Sequence, residues 1–437
     1  MNDSSAARGV ESGAKGGLRP PGTNFMATGT TPSLAASVAP GMPHGMTNGD
    51  AAADARKTRN ITRLLFVGFV VNGVVTVILG PILPVLIARW GLNDNQVGAF
   101  FPTQFIGSWV GTVLSSWVIA RKGYRMPIGI GYASLGLGVA GLSSPNMFGA
   151  LAACAVFGFG YGMLSPGTNL YIAETGGAGR ASALSLINFT WGIGAVACPA
   201  LVLLALRGHH LTLFLWLVTA AGCAVALAVF VAPWNSASEA EDVSSSHHGE
   251  ARKIPHVGII LAALFFIYVG AEQSTGGWVA ALAKRVANGA GTSYPIVPMF
   301  FWVGLLVGRG LAPLALRRVR ENNLALMALS LAACGLLVLQ KANTIAQMDV
   351  GVALAGLGFA SIYPIYIAWL SLWYRERARK IGGVMFALAA LGGAFAPWLV
   401  GFISKETGSL RIGLLVPLVW ALTMIVLVAV LRREIHP

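Results

Sequence analysis

The chain has 437 residues, 55% of them hydrophobic and 11% charged, with a formal net charge of +14. Soluble domains carry about 25% charge, so this composition, with a mean hydropathy of +0.70, excludes an ordinary soluble globular protein. The positive balance invites a nucleic-acid partner, but the positions of the charges exclude that reading below.

Residues 1–60 are rich in Gly, Ala, Ser, Thr and Pro with little aliphatic clustering, which predicts a disordered tail. The tail has no uninterrupted apolar core of the kind a cleavable signal peptide needs. From Arg63 onward the chain resolves into twelve apolar runs, at 63–88, 97–119, 126–143, 147–173, 181–206, 211–232, 257–283, 295–316, 322–340, 347–373, 380–404 and 411–432. Each is about long enough for a helix to cross a ~30 Å hydrocarbon core. Barrel strands are shorter and alternate in polarity, so the expected fold is an all-α membrane protein in a lipid bilayer.

Numbered from an inside N-terminus, the inside flanks and loops carry Arg56, Lys57, Arg59, Arg63, Arg121, Lys122, Arg125, Arg180, Arg252, Lys253, Arg317, Arg318, Arg320, Arg375, Arg377, Arg379, Lys380, Arg432 and Arg433. The outside set is Arg89, Arg207, Lys284, Arg285, Lys341, Lys405 and Arg411. This asymmetry predicts both termini in the cytoplasm, in the inner membrane, and leaves no basic patch for nucleic acid.

Within the first six spans, "GFGYGMLSP" (158–166) and "GAVACP" (194–199) contain Gly158, Gly160, Pro166, Gly194 and Pro199. The last six spans repeat them 198 positions later as Gly356, Gly358, Pro364, Gly392 and Pro397. A constant register across two motifs predicts a duplicated architecture, with six-helix bundles at 61–232 and 257–437 joined by a polar cytoplasmic linker at 233–256. The glycines suit close helix packing and bending.

Only two ionisable residues lie deep in the predicted spans, Glu272 in the seventh and Arg309 in the eighth, each expensive in lipid. Three readings stay open. They form a fixed ion pair, Glu272 takes up and releases a proton under the influence of Arg309, or Glu272 contacts substrate hydroxyls. Amides at Asn72, Gln104, Asn169, Asn188 and Gln273 can donate and accept, and Trp191, Trp278, Trp302, Tyr161, Tyr363 and Tyr366 offer rings on which the C–H faces of a sugar can stack. Interhelical hydrogen bonding is the structural alternative for each amide. Such a near-neutral lining suits a neutral polyol. Cys154, Cys198, Cys223 and Cys334 lack paired spacing and read as packing residues, and the histidines fall in loops or tails. No nucleophile–base spacing, phosphate-cradling loop or metal cluster is present, so no enzymatic activity, cofactor or metal is expected.

Twelve spans in a parallel 6+6 duplication resemble the major facilitator superfamily across 60–437. "SWVIARKGYR" (116–125) is similar to that family's loop motif between helices 2 and 3, retaining Arg121 and Gly123, with Ser116 and Ala120 in place of Gly and Asp and the final base displaced to Arg125. The resemblance implies a gating role for this loop, weakened by the missing Asp. "GYGMLSPGTN", "ALSLINFTWGIGAVACP", "YVGAEQSTGGW" and "GLLVGRG" most resemble the fucose:proton symporter-like group, in which a helix-5 amide corresponds to Asn188. That group's carboxylates in helices 1 and 4 match Gly80 and Ser165 here, so any coupling has moved elsewhere. The expected function is transport of a monosaccharide or similar polyol by a monomer, with or without H+ coupling. The alternatives are a proton-driven exporter of hydrophobic compounds and a non-transporting sensor.

Overall fold

The computed structural model describes residues 48–176, 180–234, 255–287, 293–374 and 378–435. Most of the expected tail and nearly all of the expected linker lie outside the described residues. The exception in the tail is a correction, because the first helix already begins at Asn48. Its alanine-rich start favours helix, and Lys57 pairs with Asp54 three residues before it at 3.0 Å.

Among the described residues, eleven helical segments are long and apolar enough to cross a membrane: α1 (Ala53–Trp90), α2 (Asp94–Lys122), α4 (Met147–Thr175), α5 (Ser182–Arg207), α6 (Leu211–Val231), α7 (Val257–Val286), α8 (Tyr294–Leu316), α9 (Glu321–Lys341), α10 (Ile345–Tyr374), α11 (Ile381–Thr407) and α12 (Leu410–Arg432). The twelfth expected span is α3 (Arg125–Gly141), a helix of 17 residues. Helices follow from the sequence because lipid offers no hydrogen-bond partner, and a helix pairs its backbone groups within itself. Boundaries fall where side chains or glycine can end the ladder. Asn93 and Gln96 form a reciprocal capping box at the start of α2, and Gly91 and Gly123 close α1 and α2 at φ of 61° and 66°.

The register of 198 extends into the packing. A side chain at Gly158 would collide with the Gln104 carbonyl of α2, and one at Gly356 with the Phe301 carbonyl of α8. Gly194 meets the Val70 carbonyl of α1 in the same way that Gly392 meets the Phe266 carbonyl of α7. The caps follow it too: Asn146 accepts from the Gly149 amide at the start of α4, and Thr344 from the Gln347 amide at the start of α10. The two prolines in register behave differently. Pro166 sits inside an unbroken α4, whereas α10 is interrupted at Ala360–Ser361, just before Pro364.

Contacts between the first six and the last six spans gather at one end and at mid-depth. Gly80 of α1 abuts Gly276 of α7, Gly98 of α2 abuts Trp398 of α11, and Gly393 of α11 abuts Phe105 of α2. All the hydrogen bonds and ion pairs found between the two sets of described spans lie at this end, which carries the 1–2, 7–8 and 11–12 connections. The opposite end holds Arg121, Lys122, Arg125, Arg180, Arg317, Arg318 and Arg320, and no such bond joins the two sets there among the described residues. Among the described residues, polar bonds close one end and none crosses the basic end.

Candidate functional site

Next to the sealed end, α1, α2, α7 and α8 leave a narrow gap of about 10 Å³, room for about one water in this conformation, lined by Thr76, Gly80, Phe101, Gln104, Gln273, Gly276, Gly277 and Trp302. Gly80 explains one feature of the sequence directly. Because its α-carbon faces the Gly276 carbonyl, no side chain fits there, and a carboxylate at this position is sterically barred.

Two of the five expected amides, Gln104 and Gln273, line this space. Asn72 is completely buried on α1, and neither its amide oxygen nor its nitrogen has a hydrogen-bond partner. One turn further along α1, the Thr76 hydroxyl accepts from the Trp191 indole of α5 at 3.0 Å. Trp191 in turn meets Trp302 edge to face, with ring centroids 5.8 Å apart. Asn72, Thr76, Gln104, Gln273, Trp191 and Trp302 therefore form one connected neighbourhood.

Other expected residues lie elsewhere. Asn169 and Asn188 each donate to the carbonyl four residues back in their own helices, those of Ser165 and Leu184, at 2.9 and 2.8 Å. Asn188 is exposed, a turn from Trp191 toward the basic end. Trp278 is fully buried and its indole donates to the Pro397 carbonyl at 2.8 Å, a packing bond between α7 and α11. Tyr363 joins an aromatic cluster with Phe265, Tyr268 and Phe386.

Glu272 is 7% exposed. Among the described residues no Lys or Arg nitrogen lies within 4.0 Å of its carboxylate, so Glu272 and Arg309 are not a direct ion pair in this structure. The Tyr268 hydroxyl stands beside both groups. Tyr161 of α4 and Tyr363 of α10 are close enough to feel both charges, and Arg309 lies 5.7 Å from the centre of the Trp191 ring. The residues nearest Glu272 thus come from both sets of spans.

The strongest polar contact at the sealed end was not foreseen from the sequence. Asp94, at the start of α2, accepts from Arg285 of α7 at 2.5 Å and from the Ser404 hydroxyl of α11. Lys284 donates to the Pro84 carbonyl at 3.2 Å. The sequence signal available was that Asp94 is one of few acids, with Glu406, among the bases of the outside set.

At the basic end, Arg121 lies over the Trp117 ring at 4.1 Å, Arg125 donates to the Phe230 carbonyl, and Gly123 supplies the left-handed turn between them. Tyr124 donates to Glu174 at the end of α4. Burial, and then the adjacent carboxylate, push the Tyr124 hydroxyl well above its ordinary range, so it keeps the proton it donates. Where the family loop has an Asp, this chain uses a tyrosine four residues on to tie the loop to α4. Among the described residues no group of three His, Cys, Asp or Glu side chains is placed to hold a metal ion.

Residues 65–346 match the model of the Major Facilitator Superfamily. A glucose/mannose transporter of Bacillus subtilis is 20% identical over 367 residues, covering 79% of this chain and 88% of that protein. The human sodium-dependent glucose transporter 1 is 21% identical over 381 residues, covering 78% and 73%. Among solved structures, a D-xylose-proton symporter superposes with a TM-score of 0.65 at 18% identity, covering 83% of this chain and 96% of that one. The E. coli fucose:proton symporter superposes at 0.56 and 16% identity, covering 85% and 98%. The match spans more than half of the chain, and the chain belongs to the Major Facilitator Superfamily as a multi-pass membrane transporter, not an enzyme.

Proposed function

We propose that the protein carries a monosaccharide or similar neutral polyol across the inner membrane by alternating access, in symport with H+ through Glu272. The observation that carries this reading is the lining of the central space. Gln104, Gln273 and Thr76 offer neutral hydrogen-bonding groups beside the Trp191–Trp302 pair, the combination that hydroxyls and C–H faces require, and the unpartnered Asn72 lies buried one turn behind Thr76. The names of the two sugar-transporting relatives support the same substrate class.

Glu272 suits proton coupling because it is buried next to Gln273, which lines that space, and makes no direct ion pair with Arg309. With the basic end in the cytoplasm, as the charge asymmetry favours, the polar-bonded end faces outward. Transport then rocks two six-helix bundles about the α1–α7 contact, with 233–256 as their tether. The test is uptake of radiolabelled monosaccharides into proteoliposomes, with and without a pH gradient, for wild type and Glu272→Gln. Gradient-driven accumulation that Glu272→Gln reduces to equilibration supports the reading. Uptake indifferent to the gradient in both proteins makes the carrier a facilitator, and absence of sugar flux overturns the substrate class.

A further inference from the structure

The interruption of α10 lies against α7 one turn from Glu272. Pro364 has no N–H to offer the Ala360 carbonyl, and the helix breaks at Ala360–Ser361. The last carbonyl before the break, that of Phe359, accepts the Tyr268 hydroxyl at 3.2 Å. Tyr268 precedes Glu272 by four residues, so both side chains lie on one face of α7. The same hydroxyl is adjacent to the Glu272 carboxylate and to the Arg309 guanidinium. The ring is 1% exposed and wedged against Phe359, Tyr363 and Tyr366.

A tyrosine hydroxyl has one proton to donate, and here two acceptors compete for it. A carboxylate is the stronger acceptor when ionised and a poor one when protonated. We propose that Tyr268 is the positioning residue that links the protonation of Glu272 to the break in α10. When Glu272 carries its proton, Tyr268 donates to Phe359 and clamps the broken helix to α7. When that proton leaves, the Tyr268 hydroxyl, keeping its own proton, turns to the carboxylate and releases the Phe359 carbonyl. The helix-10 segment is then free to shift at Ala360–Ser361. The titratable and charged groups facing Glu272 are Arg309 from α8, Tyr161 from α4, Tyr363 from α10 and Tyr268 itself.

This inference rests on the proton-coupled reading of Glu272, and the experiment separates the two. Wild type, Glu272→Gln and Tyr268→Phe are reconstituted in parallel, and each is assayed for sugar counterflow at zero pH gradient, for gradient-driven accumulation, and for the pH profile of uptake. The expected result is that Tyr268→Phe keeps counterflow, loses accumulation, and shows a flattened pH profile, because the clamp no longer answers to Glu272. A Tyr268→Phe protein that accumulates sugar with the wild-type pH profile overturns the inference and leaves the coupling role of Glu272 intact. Loss of counterflow as well assigns Tyr268 to binding or folding and overturns it too. Wild-type uptake that ignores the gradient removes both.

Discussion

Asp94 and Arg285 join the first and last six spans through one ion pair of 2.5 Å, with Ser404 donating to the same carboxylate from a third helix. The Asp94 side chain is 10% exposed and that of Arg285 42%, so water screens the pair on one side only. Charge-assisted bonds of this kind contribute about 1.5–3 kcal/mol when well buried, and the exposed guanidinium lowers that figure. Asp94→Asn is expected to weaken the sealed end and raise the labelling rate of a cysteine introduced among the pocket residues by a reagent added from that side. The swapped pair, Asp94→Arg with Arg285→Asp, should restore part of the protection. Unchanged labelling in Asp94→Asn would show that apolar packing alone closes this end.

Trp191→Phe removes the bond to Thr76 but keeps a ring against Trp302. The loss of one intraprotein hydrogen bond, about 0.5–1.5 kcal/mol of stability, predicts a small drop in melting temperature, and a rise in the KM for sugar is expected because the Trp191 ring and the Thr76 hydroxyl are no longer held in register. Initial-rate uptake over a range of sugar concentrations reads it directly.

Asn72→Leu should separate stability from function. The amide is buried without partners, and replacing an unsatisfied polar group with an apolar one of similar size is neutral or stabilising. Thermal unfolding in detergent should therefore be unchanged or shifted upward, while sugar uptake falls. A variant that is both less stable and fully active would remove Asn72 from the site.

Gly158→Val and Gly356→Val test the duplicated packing. Each places a side chain against a backbone carbonyl that cannot retreat without moving α2 or α8. Overpacking typically costs about 1–3 kcal/mol. Comparable drops in melting temperature for the two variants are the expected outcome, and a drop in one alone would mean that the two sets of spans have diverged in how tightly they pack.

Much of the fold was legible because lipid imposes a simple rule. Apolar runs of helix length become spans, and the register from Gly158/Gly356 to Pro199/Pro397 survived as matching backbone contacts and matching caps. The start at Asn48 was missed because Gly45, Thr47 and Gly49 around it masked a short alanine-rich turn. The site was legible in part. Gln104 and Gln273 line one gap with Trp191 against its Trp302 wall, but residue type cannot tell which face of a helix an amide occupies. Asn169 and Asn188 turn back on their own helices, and Trp278 packs against α11. Asp94 and Tyr124 went unnoticed because their partners, Arg285 and Glu174, are distant in sequence, and no local pattern announces a contact across 191 positions.

Helix α3 is short, and neighbours hold it at both ends. Its 17 residues rise about 26 Å at ~1.5 Å each, less than the ~30 Å of a typical hydrocarbon core. Arg125 fixes its start to the end of α6, and just past its last turn Arg89 and Trp90 of α1 donate to the Leu142 and Pro145 carbonyls. A helix fastened in this way cannot slide to meet a thicker membrane, yet Leu137 on its flank is 59% exposed. A span at the short end of the ~17–25-residue range is met by local thinning of the bilayer or by flanking residues that reach to the interface. Acyl-chain length thus becomes a variable of the transporter, and vesicles of shorter-chain lipids should support the faster cycle.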